Sequence, residues 1–283
     1  MITRREFLKY AASAIGVGIS KNALADGVRL FSFPKHLSNS TEEHVKDYLH
    51  KMRRFEERHE DDLLLQEDQA PLLERVVYRL KGVEGAAGHA NFSLMAFDEV
   101  LKTAQNHSDV GPFSKEELDL IEMIFYRDAA DYGFYGDKPF VNLTDMIDRS
   151  NVIKIPGTGN YLYRGMALET YERLKNDIGN DVILTSGIRS VSKQLTLFLN
   201  KALKNSGNLS LASRSLAPPG YSFHSIGDFD VGQVGYGVNN FTERFTNTDV
   251  YHKLSHLGYV TFRYNRDNML GVRYEPWHIK LNS

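Results

Sequence analysis

Two short stretches dictate what the rest of this chain has to be built around. Ser222–Asp230 reads SFHSIGDFD and Glu275–His278 reads EPWH, so between them they hold two imidazoles and three carboxylates, beside the only Trp of the protein. A hydrolytic zinc site needs three protein ligands, one open position for water and a nearby carboxylate to take that water's proton. His224, one Asp and His278 supply the ligands in this reading, and Glu275 the base. If Gly227 turns the chain into a strand, Asp228 and Asp230 alternate with Phe229 and Val231 and share one face, so both acids look toward the metal. Residues three apart share a face on a helix but not on a regular strand. Pro276 therefore predicts an edge or irregular strand that turns Glu275 and His278 inward together.

A third block, Ser186–Ser190, reads SGIRS, with Gln194 following it. The three blocks together resemble the VanY-type zinc D-alanyl-D-alanine carboxypeptidases of the Hedgehog/DD-peptidase fold, whose pattern runs SGYRS and Gln, then SxHxxGxAxD, then ExWH. Order and separations agree over roughly residues 160 to 280, and three ordered blocks are far more specific than one. The chain departs from the pattern where the family has its Asp, seven residues after the His: position 231 is Val, and the nearest acids are Asp230 and Asp228. Aligning Asp230 requires a one-residue deletion. The resemblance implies that Arg189 is an active-site residue, holding a substrate carboxylate or the developing oxyanion through paired hydrogen bonds. Gln194, Ser222 and Tyr221 are candidates for substrate contact, and each suits a turn or capping role equally well.

The chain begins MITRREFLKYAASAIGVGIS. Its Arg4-Arg5 pair, the Phe-Leu-Lys after it, a weakly apolar segment and the Ala23–Ala25 site predict a twin-arginine export signal over residues 1–25. The apolar run is too short for a stable membrane-spanning helix. Removing it takes away Arg4, Arg5, Lys9 and Lys21 against one acid, Glu6, leaving a chain more acidic than the formal −2 of the whole. A mildly acidic protein lacks the basic footprint of nucleic-acid recognition. With no cysteine, disulfides contribute nothing even in an oxidising compartment.

Residues 26–150 read as a mostly helical region. Ser40-Thr41-Glu42-Glu43 is a capping box, followed by Val45, Tyr48, Leu49, Met52 and Phe55 at helical spacing. Further helices are expected over 71–80 and 92–103, and after the capping box formed by Ser114 and Glu117. The aromatic-rich run 126–140 is expected to pack against the second half rather than line a cleft. Turn signals across 142–159 set a boundary, and 151–283 is the expected peptidase domain. It carries helices over 168–176, 191–204 and 250–257, and strands over 181–185, 228–231, 259–264 and 271–280. The Ser, Asn, Gly and Pro of 205–220 read as a surface loop bordering the site. Helices mixed with late, hairpin-like strands argue for an α+β fold with a small, mainly antiparallel sheet and flanking helices. His252 and His256, four apart on a helix, lack the acid of an HExxH site.

The resemblance implies a Zn2+-dependent enzyme acting on a peptidoglycan stem peptide outside the inner membrane, most simply at its terminal D-Ala-D-Ala bond. An L,D- or cross-link endopeptidase stays open, as does a non-catalytic wall-binding module of the same fold. Glu275 weighs against the module, since a structural zinc has no use for a free base.

Overall fold

The computed structural model describes residues 42–281. The expected export signal, the irregular stretch 26–39 and the Ser40-Thr41 half of the first capping box lie outside the described residues. Helix α1 (Glu42–Arg53) is fastened by Tyr48, whose hydroxyl donates to the Asn268 carbonyl at 3.0 Å and accepts from the Gly271 amide at 2.9 Å.

Helix α2 (Ala70–Ala87) starts with Pro71 in its first turn and buries Leu73, Val76, Val77, Leu80 and Val83 on one face. It runs well past the expected end at Leu80, carrying Gly82 inside it. A Cβ at Gly82 would lie 2.9 Å from Val110 Cγ2, so glycine there lets the 110 segment close against the helix. Short α3 (His89–Phe92) and α4 (Phe97–Asn106) replace the single helix expected over 92–103. Ser114 caps α5 (Lys115–Tyr126), and its reciprocal box with Glu117 is formed. In the aromatic run, Tyr132 and Phe134 are buried, the first against Phe198 and the second against Tyr221.

Strands β1 (Val152–Ile155) and β2 (Asn160–Tyr163) form an antiparallel hairpin, followed by α6 (Met166–Ile178). Then come β3 (Val182–Ser186), α7 (Val191–Lys204), α8 (Leu209–Ser213), β4 (Phe229–Gln233), α9 (Asp249–His256) and the two-residue β5 (His278–Ile279). The second sheet is antiparallel in the order β3-β4-β5. The expected α+β fold with a small antiparallel sheet is the fold observed.

Three local expectations are corrected. Residues 205–220 are largely buried, not a surface loop: Asn208 caps α8 by accepting from the Leu211 amide at 2.7 Å and donates to Asp62 at 2.6 Å. Arg214, buried just after α8, forks onto Asp62 at 2.6 and 3.0 Å. Polar residues that would suit solvent are here satisfied by one another. The strand expected over 259–264 is reduced to one bridge, Phe262 with Ile279, and that over 271–280 to β5.

The larger core joins α2, α4 and α5 to Val191, Leu195, Phe198, Leu199 and Ala202 of α7, and reaches Phe223, Tyr264 and Val272. It therefore runs across the boundary expected at 142–159. A second core packs α6 and α9 on β3, β4 and Trp277.

Candidate metal centre

Backbone register brings the first two groups together. Asp230 in β4 stands directly opposite His278 in β5, and directly opposed residues of antiparallel strands project from the same face. The pairing of β3 with β4 slips between Leu184 and Ser186, so that Ser186 also stands opposite Asp230. His224 enters from a single 3-10 turn, Phe223–Ser225, that follows Ser222. One ligand atom from each of His224, Asp230 and His278 lies within 4.8 Å of the others, and all three residues are buried.

The outer nitrogen of each imidazole is engaged. His224 Nδ1 lies 2.8 Å from the Gly187 carbonyl, which only accepts, so Nδ1 holds the proton and Nε2 carries the free lone pair. Gly187 has to be glycine, because a Cβ there would lie 2.0 Å from the Tyr161 carbonyl oxygen. His278 Nε2 lies 3.0 Å from Asp228 Oδ2, which leaves Nδ1 facing Asp230 Oδ1 at 3.3 Å. Metal-ligating histidines are held from behind in this way by a carbonyl or carboxylate. Facing inward, His224 Nε2 and Asp230 Oδ1 are buried with no hydrogen-bond partner. Two imidazole nitrogens and a carboxylate oxygen are a zinc donor set, and buried unpaired atoms of this kind are what a cation would satisfy. The residues present fit the ion.

Contrary to the expectation from strand alternation, Asp228 and Asp230 do not both face that centre. Asp228 precedes β4, directly after Gly227 with its φ of 129°, and lies behind the His278 ring. It takes a fork from Arg263, through Nε and through Nη2 at 3.0 Å, and the Leu281 amide at 3.0 Å. Burial would raise its pKa, but His278 and Arg263 outweigh this and hold it at about 2. Burial would likewise raise Asp230, and His224, Arg189 and His278 hold it well below the usual carboxylate range. His278 is pushed up to about 9: burial opposes its charge, while Asp228, Glu275 and Asp230 favour it. Burial and the nearby Arg189 pull His224 down. Positive charge is thus favoured among these acids, and a metal there has to displace the His278 proton.

Glu275 stands 3.6 Å from His278 Nδ1 through Oε2. Residues 275 to 278 form a turn closed by the His278 amide on the Glu275 carbonyl at 3.2 Å, and that turn, not an irregular strand, brings residues three apart to one side. Arg189 donates from Nη2 to Asp230 Oδ2 at 2.8 Å and from Nε to Ser186 Oγ at 3.0 Å. A cavity of about 180 Å3 opens on these groups, with Arg189, Gln194, Ser222, His224, Asp230, Glu275 and His278 all on its wall. Gln194 donates to the Ala217 carbonyl at 2.5 Å, while its Oε1 is buried without a partner. Tyr221 is not on that wall; its ring packs edge-on against Phe134 with centroids 5.4 Å apart. His252 and His256 are exposed on α9, with His256 Nδ1 2.6 Å from the His252 carbonyl.

Sequence reasoning missed Ser215–Ala217, Phe241, Tyr264, Val272 and Arg273, which also line the cavity. Of these, Tyr264 had a usable signal as the last residue of the strand expected over 259–264, and its ring meets His278 edge-on at 4.9 Å. The others come from segments whose path only the tertiary fold sets.

Residues 164–282 match the model of the VanY family, described as D-alanyl-D-alanine carboxypeptidase. No curated protein matches. Among solved structures, the LdcB LD-carboxypeptidase is 22% identical with a TM-score of 0.38, the match covering 47% of this chain and 69% of that one. The vancomycin resistance D,D-pentapeptidase VanY in complex with Zn(II) is 21% identical with a TM-score of 0.34, covering 46% of this chain and 76% of that one. VanYB in complex with D-Alanine-D-Alanine is 22% identical with a TM-score of 0.35, covering 46% and 75%. The family match spans all of His224, Asp230, Glu275 and His278, the residues that the fold gathers at one point. The match to the VanY family is confined to residues 164–282, under half of the chain.

Proposed function

We propose that this chain is a zinc-dependent peptidase that hydrolyses peptidoglycan stem peptides, as a D-alanyl-D-alanine carboxypeptidase. One observation carries the reading: His224 Nε2 and Asp230 Oδ1 are buried without partners beside His278 Nδ1, with the far nitrogen of each imidazole already held. His224, Asp230 and His278 would hold the ion, which when bound lowers the pKa of water from about 15.7 to about 7 and polarises a carbonyl.

Everything else falls to the chain's own groups. Glu275 Oε2 takes the proton of the attacking water and returns it to the leaving amine. Arg189, fixed by Ser186 and Asp230, adds positive charge where the oxyanion develops. Gln194 and Ser222 bound the cavity where the chain end is held. The reading also puts the protein outside the inner membrane, exported by the twin-arginine route. No helix among the described residues is long and apolar enough to cross a membrane.

The test is mass-spectrometric analysis of a pentapeptide muropeptide after incubation with the protein, with and without chelator. Release of free D-Ala that stops with chelator and returns with zinc supports the reading. Release of a larger fragment makes it an endopeptidase, and an unchanged substrate in every arm overturns it.

A further inference from the structure

Arg273 is the second guanidinium on the cavity wall, and unlike Arg189 it forms no ion pair with an acid of the described residues. Arg189 is ion-paired with Asp230 at 2.8 Å, and Glu275 lies against His278. Arg273 instead donates from Nη2 to the Phe241 carbonyl at 2.9 Å, and its Nε is buried without a partner. Its guanidinium carbon lies 4.9 Å from the centre of the Trp277 ring and 4.7 Å from that of Phe55. No carboxylate of the described residues forms an ion pair with it. A guanidinium keeps its proton, so this is a permanent positive charge held between aromatic faces with its natural counter-ion missing.

Phe55 comes from outside the family-matched residues, and its position is fixed from the cavity side. Arg214 donates from Nε to the Phe55 carbonyl at 3.3 Å and from Nη2 to the Glu57 carbonyl at 2.8 Å, besides forking onto Asp62. The Arg273 amide in turn donates to the Arg214 carbonyl at 2.9 Å. One buried arginine thus ties the segment after α1 to the irregular segment that bears Arg273.

We propose that Arg273, packed between Phe55 and Trp277, binds a carboxylate of the substrate, so that the N-terminal segment completes a subsite for an acidic peptide. The proposal rests on the peptidase reading. The planar fork suits a carboxylate, and a neutral group would leave the charge uncompensated. That carboxylate has two sources, the peptide's C-terminus or an acidic side chain beside the scissile bond.

Four peptides separate them: C-terminal acid or amide, combined with Glu or Gln at the residue before the scissile bond. With the zinc-loaded full chain, Arg273→Met, which keeps the packing of the stem, is expected to lower kcat/KM about tenfold or more for the acid member of one pair. Its neutral counterpart should stay within about twofold, and the responding pair names the source. Phe55→Leu should show the same pattern more weakly. An equal loss on all four peptides, or no loss, overturns the proposal. If the unsubstituted protein cleaves none of them, the peptidase reading fails by itself, and calorimetric titration with the same peptides decides about Arg273. A preference of about tenfold for one acid member that Arg273→Met abolishes supports the subsite. No such preference overturns it.

Discussion

Asp230 and Asp228 are two residues apart in sequence and are held by different side chains: Arg189 and His224 around the first, Arg263 and His278 around the second. Their substitutions should therefore fail differently. Asp228 orients the His278 ring from behind, so Asp228→Asn is expected to lower zinc affinity by about 10–100-fold, read by competition with a chelating dye. An unchanged affinity would remove its orienting role. Glu275 lies beside the ligand set and is not one of the three, so Glu275→Gln should keep the ion while kcat falls by about 10²–10⁴-fold. A variant that kept full activity would remove Glu275 as the base. The residue types of the site were legible in sequence because their chemistry is rare in combination. What sequence left open was which Asp coordinates. The alternation rule assumes a strand that already includes Asp228, whereas β4 begins at Phe229 and the chain turns at Gly227.

At the scale of elements, α7 and the α8 region hold the site wall in place. Phe198 is fully buried on α7 between the N-terminal helices and the residues around the cavity. Phe198→Ala should cost about 3–5 kcal/mol in denaturant unfolding; a loss under about 1 kcal/mol would mean the two halves are not packed through this helix. The Asp62–Arg214 pair is nearly inaccessible, with side chains 2% and 4% exposed. Burial would raise the Asp62 pKa, and Arg214 and Asn208 outweigh this and lower it. A lowered folded-state value means the stabilisation is in place above the unfolded-state pKa, about 3.9, and is lost as pH falls through the folded one. Asp62→Asn should accordingly flatten the acid limb of stability against pH. A limb as steep as that of the unsubstituted protein would contradict this. Helix α7 was readable to its ends, because its apolar spacing and the Ser190 cap agree. The segment 205–220 was not, since composition alone does not reveal that Asp62, distant in sequence, satisfies its polar groups.

Over the whole molecule, the core does not divide where the sequence changes character. The buried face of α7 is covered by α2, so a fragment starting at residue 151 would expose Leu195, Phe198 and Leu199. Such a fragment is expected to show no cooperative unfolding transition; a sharp one would mean that the second half folds alone. The helical nature of the first half and the α+β fold of the second were legible from periodicity. Their shared core was not, because it depends on which apolar faces meet. The proposed chemistry depends on His224, Asp230 and His278 closing on one ion. The direct measurement is the zinc content of the purified full chain by mass spectrometry, beside that of His278→Ala. About one zinc per chain, absent in the variant, is the predicted result; a protein that binds none, or a variant that binds as much, would contradict it.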